Sequence, residues 1–243
     1  MYGWRGKFGF INPSICDSVL LEFYQILPEG ILVTPADLKI QNLTDEEFKK
    51  EAINRIMEAV KTVDYEEVQA IIVGGTPPIT KMGFEVEKEI ITKVETLTKK
   101  PSSTTPTAEI DALKFLGLKR IALVSPYVDA LNLHLKSYLE YRGFEVVAVS
   151  GLGIVKNAHL TQVSFDTAYT LAKETFLKAK ASVDGIFLTC PRWPTVRCIA
   201  PLEKDLGVPV VSTAQALVWK ALSLLNIREV RPGFGKLFKE FES

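Results

Sequence analysis

Cys190 closes the apolar run Gly185-Ile186-Phe187-Leu188-Thr189 and is followed by Pro191-Arg192-Trp193. A thiol at the end of a buried strand can act as a nucleophile, or give and take a proton. Apolar surroundings keep it neutral, while a cation or a helix N-terminus favours the thiolate. The same position also suits a structural cysteine behaving as a small hydrophobe, so position alone leaves both roles open. Gly74-Gly75-Thr76 closes another apolar run, Ala70–Val73. It fits a tight strand-to-helix turn whose backbone N–H groups and Thr76 hydroxyl can bind an anion, or simply an ordinary turn. It matches neither the P-loop nor the G-x-G-x-x-G pattern. Tyr127, after Ser125-Pro126, can hydrogen-bond a carboxylate or span core and surface, and Asn157 can line a cleft or cap a turn. Cys198, mid-helix by pattern, and Cys16 read as packing residues. His134 reads as a surface residue, and His159 is the one histidine with a claim to a cleft.

The elements that must position these groups alternate between strand-like and helix-like patterns. Apolar runs at Phe8–Ile11, Gly30–Thr34, Ala70–Val73, Arg120–Val124, Phe144–Ser150, Asp184–Thr189 and Val208–Val211 read as strands. Helical spacing is seen at 17–26, 84–99, through Leu116, and at 128–141, 164–180, 195–206 and 213–225. Thr44-Asp45-Glu46-Glu47 reads as a capping box opening a helix from Asp45 to about Val63. Continuous apolar strands separated by helices predict a mostly parallel, doubly wound α/β sheet.

An internal repeat refines this. Phe8–Pro13 lines up with Ile121–Pro126, Ile71–Gly75 with Ile186–Cys190, and Pro101–Ala108 with Pro209–Ala216. Order and spacing are nearly kept, which predicts two pseudo-symmetric α/β halves, residues 1–105 plus 213–243 and residues 106–212. The carboxyl ends of their strands then face a shared cleft, the usual ligand position in open α/β sheets. Gly75 and Cys190 fall at matching places on its two sides.

The 243 residues carry 29 Lys+Arg against 29 Asp+Glu, two His and three Cys. A zero balance without a basic stretch argues against a nucleic-acid binder. No apolar run approaches the roughly 20 residues of a membrane span. The N-terminus lacks the apolar region of a secretory signal, so a cytoplasmic protein with free thiols is expected. Two His and no Cys-x-x-Cys leave little for a metal site.

Several segments carry a family resemblance in order along nearly the whole chain: Gly75-Thr76, Thr105 with Ala108, Arg120–Leu123 leading to Tyr127, Asp129–Asn132, Asp184–Cys190, Leu206–Ser212 and Arg231–Phe238. Together they resemble the aspartate/glutamate racemase superfamily, and within it arylmalonate decarboxylase, with maleate isomerase more distant. The resemblance implies cofactor-free chemistry, without a metal, at a carbon next to a carboxylate. It implies a small carboxylate or dicarboxylate substrate and a monomer or small homo-oligomer. Racemases of the superfamily use two cysteines; the decarboxylase has Gly at the first position and Cys at the second, the arrangement of Gly75 and Cys190. The implied reaction is loss of carbon dioxide from a disubstituted malonate, giving an enediolate that Cys190 protonates. Thr76, Tyr127 and backbone N–H groups near Thr76 and Cys190 would hold the enediolate oxygens. Gly75, Pro13, Pro77 and Pro191 would line the substrate, and Ile40, Leu43, Phe48 and Leu160 would form an apolar pocket around the departing carboxylate.

Three residues depart from that pattern. Pro77 stands where the decarboxylase has a serine hydroxyl. Pro191 stands where the family supplies a backbone N–H, which proline lacks. Asn157 resembles an asparagine with which maleate isomerases hold a carboxylate. The alternatives are therefore a maleate-type or other carboxylate isomerase, and a carboxylate-binding protein without catalysis.

Overall fold

The computed structural model describes residues 1–39 and 46–241, with backbone only for residues 46–50. Along the chain come β1 (Gly6–Asn12), α1 (Ser18–Ile26), β2 (Ile31–Asp37), α2 (Glu46–Tyr65), β3 (Ala70–Val73), α3 (Thr76–Met82), α4 (Phe84–Thr98) and β4 (Ser102–Thr104). Then follow α5 (Thr105–Phe115), β5 (Arg120–Tyr127), α6 (Asp129–Tyr141), β6 (Glu145–Ile154), α7 (Asn157–Leu160), α8 (Phe165–Lys178) and β7 (Gly185–Leu188). A 3-10 turn (Val196–Cys198), α9 (Ile199–Leu206), β8 (Val210–Ser212), α10 (Thr213–Leu224) and α11 (Gly235–Lys239) complete the chain.

The strands form two four-stranded, all-parallel sheets, ordered β2-β1-β3-β4 and β6-β5-β7-β8. The second order is the first repeated, so the sequence repeat is a structural one: β5 takes the place of β1 and β7 that of β3. Both faces of each sheet are covered, as parallel sheets require. On β1, Phe8 and Phe10 point to one face and meet Phe23 of α1 at ring-centroid distances of 6.3 and 5.1 Å. On the other face α2 lies so close to Gly9 that a Cβ there would sit 2.8 Å from a Val63 methyl.

Several elements differ from the sequence expectation. The Gly74-Gly75 turn does lead from strand to helix, but the short helix it opens, Thr76–Met82, was not among the expected ones: its two prolines occupy the first helical turn, where their fixed φ fits and their missing N–H is not needed. Ser102–Thr104 is a buried strand without an apolar residue, because its hydroxyls find local acceptors such as Ile91 O and Glu87 Oε1. The helix expected over 195–206 begins as a 3-10 turn. The Thr44 cap lies outside the described residues. Among the described residues no helix is long and apolar enough to cross a membrane.

Phe8, Phe10 and Phe23 are all fully buried. Truncating Phe23 to Ala leaves a cavity between α1 and the first sheet and should cost ~3–5 kcal/mol, measured as a lower urea midpoint at unchanged slope.

Candidate active site

Two matched turns stand at the carboxyl ends of β3 and β7. Gly75 has φ +104° and Cys190 φ +103°. Glycine reaches this region freely; a residue with a Cβ does so at a cost of about 1–3 kcal/mol. Each turn is pinned in the same way. The N–H of Gly75 donates to Thr105 Oγ1 at 3.0 Å, and the N–H of Cys190 donates to Thr213 Oγ1 at 3.0 Å. Thr105 and Thr213 are the first residues of α5 and α10, each preceded by a hydroxyl N-cap, Thr104 and Ser212. The pseudo-symmetry thus extends to hydrogen bonds, and the difference at its centre is the side chain: none at Gly75, a thiol at Cys190. A Cβ at Gly75 would sit 2.6 Å from Pro13 Cγ and 3.3 Å from Pro78, so that side is filled by proline rings.

Glu109 of α5 joins the two turns and was missed by the sequence reading. Its Oε1 accepts the Thr76 hydroxyl at 2.7 Å and the Thr213 hydroxyl at 2.5 Å. The side chain is buried. Burial pushes its carboxyl up to about 8 against the pull of the two hydroxyls, and the Glu87 charge adds to the rise. The sequence does carry a signal for it: Thr105, Ala108, Glu109, Ala112 and Leu113 follow the i, i+3, i+4, i+7, i+8 stripe of a buried helix face, with one carboxylate inside it. Thr213 was noticed as a member of the repeat, without a role.

Cys190 is buried. Burial pushes its thiol up, while the Tyr127 hydroxyl, the N–H groups of Arg192 and Trp193 and the Arg192 guanidinium pull it back without reversing the rise. The thiol is therefore neutral near pH 7. Tyr127, itself raised well above its ordinary value by burial and by Cys190, hydrogen-bonds the sulfur. A small network sets its backbone: Tyr127 N–H donates to Ser125 Oγ at 3.0 Å, Ser125 Oγ donates to Asn132 Oδ1, and Asn132 Nδ2 donates to Tyr127 O at 3.3 Å.

The segment after Cys190 is tied to α1 of the other half. Arg192 forms a bidentate pair with Asp17 at 3.1 and 2.6 Å, and the Ser18 hydroxyl donates to Arg192 O at 2.9 Å. Glu22 accepts the N–H groups of Thr195 and Val196, both at 2.8 Å. The Arg192 charge beside the cysteine is thus matched by Asp17.

A cavity of about 30 Å³ lies between the turns, with room for roughly one or two water molecules. Of the residues singled out by sequence, Pro13, Gly75, Thr76, Pro77, Tyr127, Asn157, Leu160, Cys190 and Pro191 all line it. Asn12, Ser14, Pro78 and Arg192 join them. Ile40 and Leu43 lie outside the described residues; Phe48 belongs to α2, and only its backbone is described. The donors differ from expectation. The N–H groups of Gly75 and Cys190 go to threonines, and the Thr76 proton goes to Glu109. His159 is exposed and away from the cavity, whereas His134, expected at the surface, reaches Thr80 Oγ1 at 3.0 Å across the halves. Cys198 is buried and donates to Phe165 O, and half-buried Cys16 packs against the main core. Two wider surface grooves, of about 880 and 740 Å³, lie apart from the paired turns.

A model of a protein family described as arylmalonate decarboxylase matches residues 8–238. Among curated proteins, arylmalonate decarboxylase of Bordetella bronchiseptica is 36% identical over 141 residues, covering 58% of this chain and 58% of that protein, a little over half its length. Maleate isomerase of Nocardia farcinica is 24% identical over 225 residues, covering 92% of this chain and 83% of the relative. A crystal structure of arylmalonate decarboxylase superposes with a TM-score of 0.83 at 26% identity, over 96% of this chain and 99% of the other.

Two outcomes follow from this geometry. Because φ at Cys190 favours glycine, Cys190→Gly should be more stable than Cys190→Ala by about 1–2 kcal/mol, the reverse of the usual order, as read by urea denaturation. Glu109 carries its proton in the folded state up to about 8, while the unfolded chain releases it near 4.5. Stability should therefore fall as pH rises through that window. Between pH 5 and 8 the wild type should lose about 3 kcal/mol relative to Glu109→Gln, by the same method.

Proposed function

The chain belongs to the arylmalonate decarboxylase family, and from that premise we propose that it decarboxylates a disubstituted malonate without a cofactor, using Cys190 as its single proton donor. The observation that carries this reading is the unequal pair of turns: a neutral thiol at Cys190 faces Gly75, where proline rings stand in place of a second acid or base. Loss of carbon dioxide leaves the bonding electrons on the α-carbon as an enediolate. The Cys190 thiol gives its proton to that carbon, and the resulting thiolate is reprotonated from solvent. One donor on one face suffices, because decarboxylation generates the carbanion that a racemase must make with a base.

The supporting chemistry comes from named groups. The Tyr127 hydroxyl, bonded to the sulfur, stabilises the thiolate formed on proton transfer. Pro13, Pro77, Pro78, Leu160 and Pro191 make much of the wall apolar, an environment that solvates a carboxylate poorly and favours its loss as neutral carbon dioxide.

A second reading, maleate-type cis-trans isomerisation, is favoured by Asn157, which lines the cavity as a carboxylate-binding amide could. It lacks support at Gly75, where no second thiol is present.

Incubation with aryl- and alkenylmalonates should release carbon dioxide, and Cys190→Ala should lower kcat by at least ~10³ with little change in KM. Thr76→Val should cost ~10²-fold. Conversion of maleate to fumarate, seen by proton NMR with no malonate turnover, would instead establish the isomerase reading.

A further inference from the structure

We propose that Glu109 is a positioning residue that governs the Thr76 hydroxyl, freeing its proton for a bound carboxylate or enediolate oxygen only when the Glu109 carboxyl is itself protonated. The inference rests on reading the cavity as a carboxylate site and names the group that switches it.

The reasoning is a proton count. A threonine hydroxyl has one proton and two lone pairs. With Glu109 ionised, both Thr76 and Thr213 donate to its Oε1, at 2.7 and 2.5 Å. Thr76 then offers the cavity only lone pairs, which repel an anion. With Glu109 protonated, its O–H can donate to one of the two hydroxyls, and that hydroxyl's own proton becomes free. Thr213 is fully buried, already accepts the Cys190 N–H and is absent from the cavity wall, so its proton has Glu109 as its acceptor. Thr76 lines the cavity, so a proton released there meets the ligand. The exchange matters because the two turns offer no donor of their own: Gly75 N–H is held by Thr105, Cys190 N–H by Thr213, and Pro77, Pro78 and Pro191 have none, which leaves side chains such as Thr76 and Asn157 to supply them.

The surroundings suit a group that titrates near neutrality. Glu87 faces Glu109 from α4, Tyr127 from β5 and Tyr138 from α6, and α3 and α10 present the two threonine hydroxyls. Lys220 of α10 pairs with Asp111 of α5 at 2.7 Å, and Arg142 of α6 pairs with Glu87 at 3.3 Å. Lys81 of α3 acts on His134. Burial and the Glu87 charge therefore dominate at Glu109, and its carboxyl is pushed up to about 8.

The test is binding of phenylacetate, a stable monocarboxylate, by calorimetry from pH 6 to 9, together with the pH profile of malonate turnover. In the wild type, affinity should fall roughly 10–100-fold across this range as Thr76 loses its free proton. Turnover should show an alkaline limb near pH 8 ahead of the higher limb set by Cys190. Glu109→Gln, which keeps shape and polarity, should bind phenylacetate independently of pH and retain only the higher limb. Thr76→Val should bind weakly at every pH and show less than about a third of the wild-type drop on a logarithmic scale. A full-sized drop in Thr76→Val would mean that Glu109 acts by charge alone and overturns the proposal, as would a flat wild-type profile with good binding. Absence of phenylacetate binding at any pH overturns the carboxylate-site reading together with this inference. A pH-dependent affinity without malonate turnover supports the inference while rejecting the decarboxylase reading.

Discussion

The architecture turns on one repeated constraint: a backbone held at φ near +104° at the end of the third strand of each sheet, with its N–H locked to the threonine that opens the next half's first or last long helix. The lock fixes where the side chain after each strand points. At Gly75 nothing points anywhere, and proline rings fill the space. At Cys190 a thiol is aimed into the cavity at a backbone cost that cysteine does not ordinarily bear. The hydrogen bonds from α1 to the segment after Cys190, through Asp17, Ser18 and Glu22, supply the anchoring that holds this strained turn in place.

Held that way, the site has few ways to receive negative charge. The turns consume their own N–H groups, the four prolines of the wall contribute none, and the Tyr127 hydroxyl is engaged with sulfur. Buried hydroxyls must have partners, and here one carboxylate partners two of them, from α3 and α10. The consequence is a coupled device: the group that keeps α3 and α10 in register also decides what the cavity can offer. The Arg192–Asp17 pair acts in the same spirit, fastening the loop while matching the charge of the cation beside the thiol.

Much of this was legible in the sequence, for identifiable reasons. Parallel strands buried on both faces are written as continuous apolar runs, so most strands and their repetition could be read, and strand ends in such sheets locate a site. Gly75 and Cys190 emerged as partners because the repeat aligned them. What escaped were features set by tertiary contacts. Ser102–Thr104 has no apolar signature, since its hydroxyls are satisfied by neighbours. Pro77-Pro78 reads equally as a turn or as a helix start. Glu109 looks like one more charged residue until its helix face is seen to be buried, and Arg192 looks like a ligand-binding cation until Asp17, 175 positions away, is found beside it.

The central claim is that a single donor on one face protonates the carbanion. Its most direct measurement is decarboxylation of a prochiral aryl(methyl)malonate in heavy water, with the product resolved by handedness and then returned to the enzyme. The account predicts one deuterium at the α-carbon, a single enantiomer, and no racemisation on return. A racemic product, or racemisation of the resolved product, would place a second proton-transfer group opposite Cys190 or none at Cys190, and would contradict it.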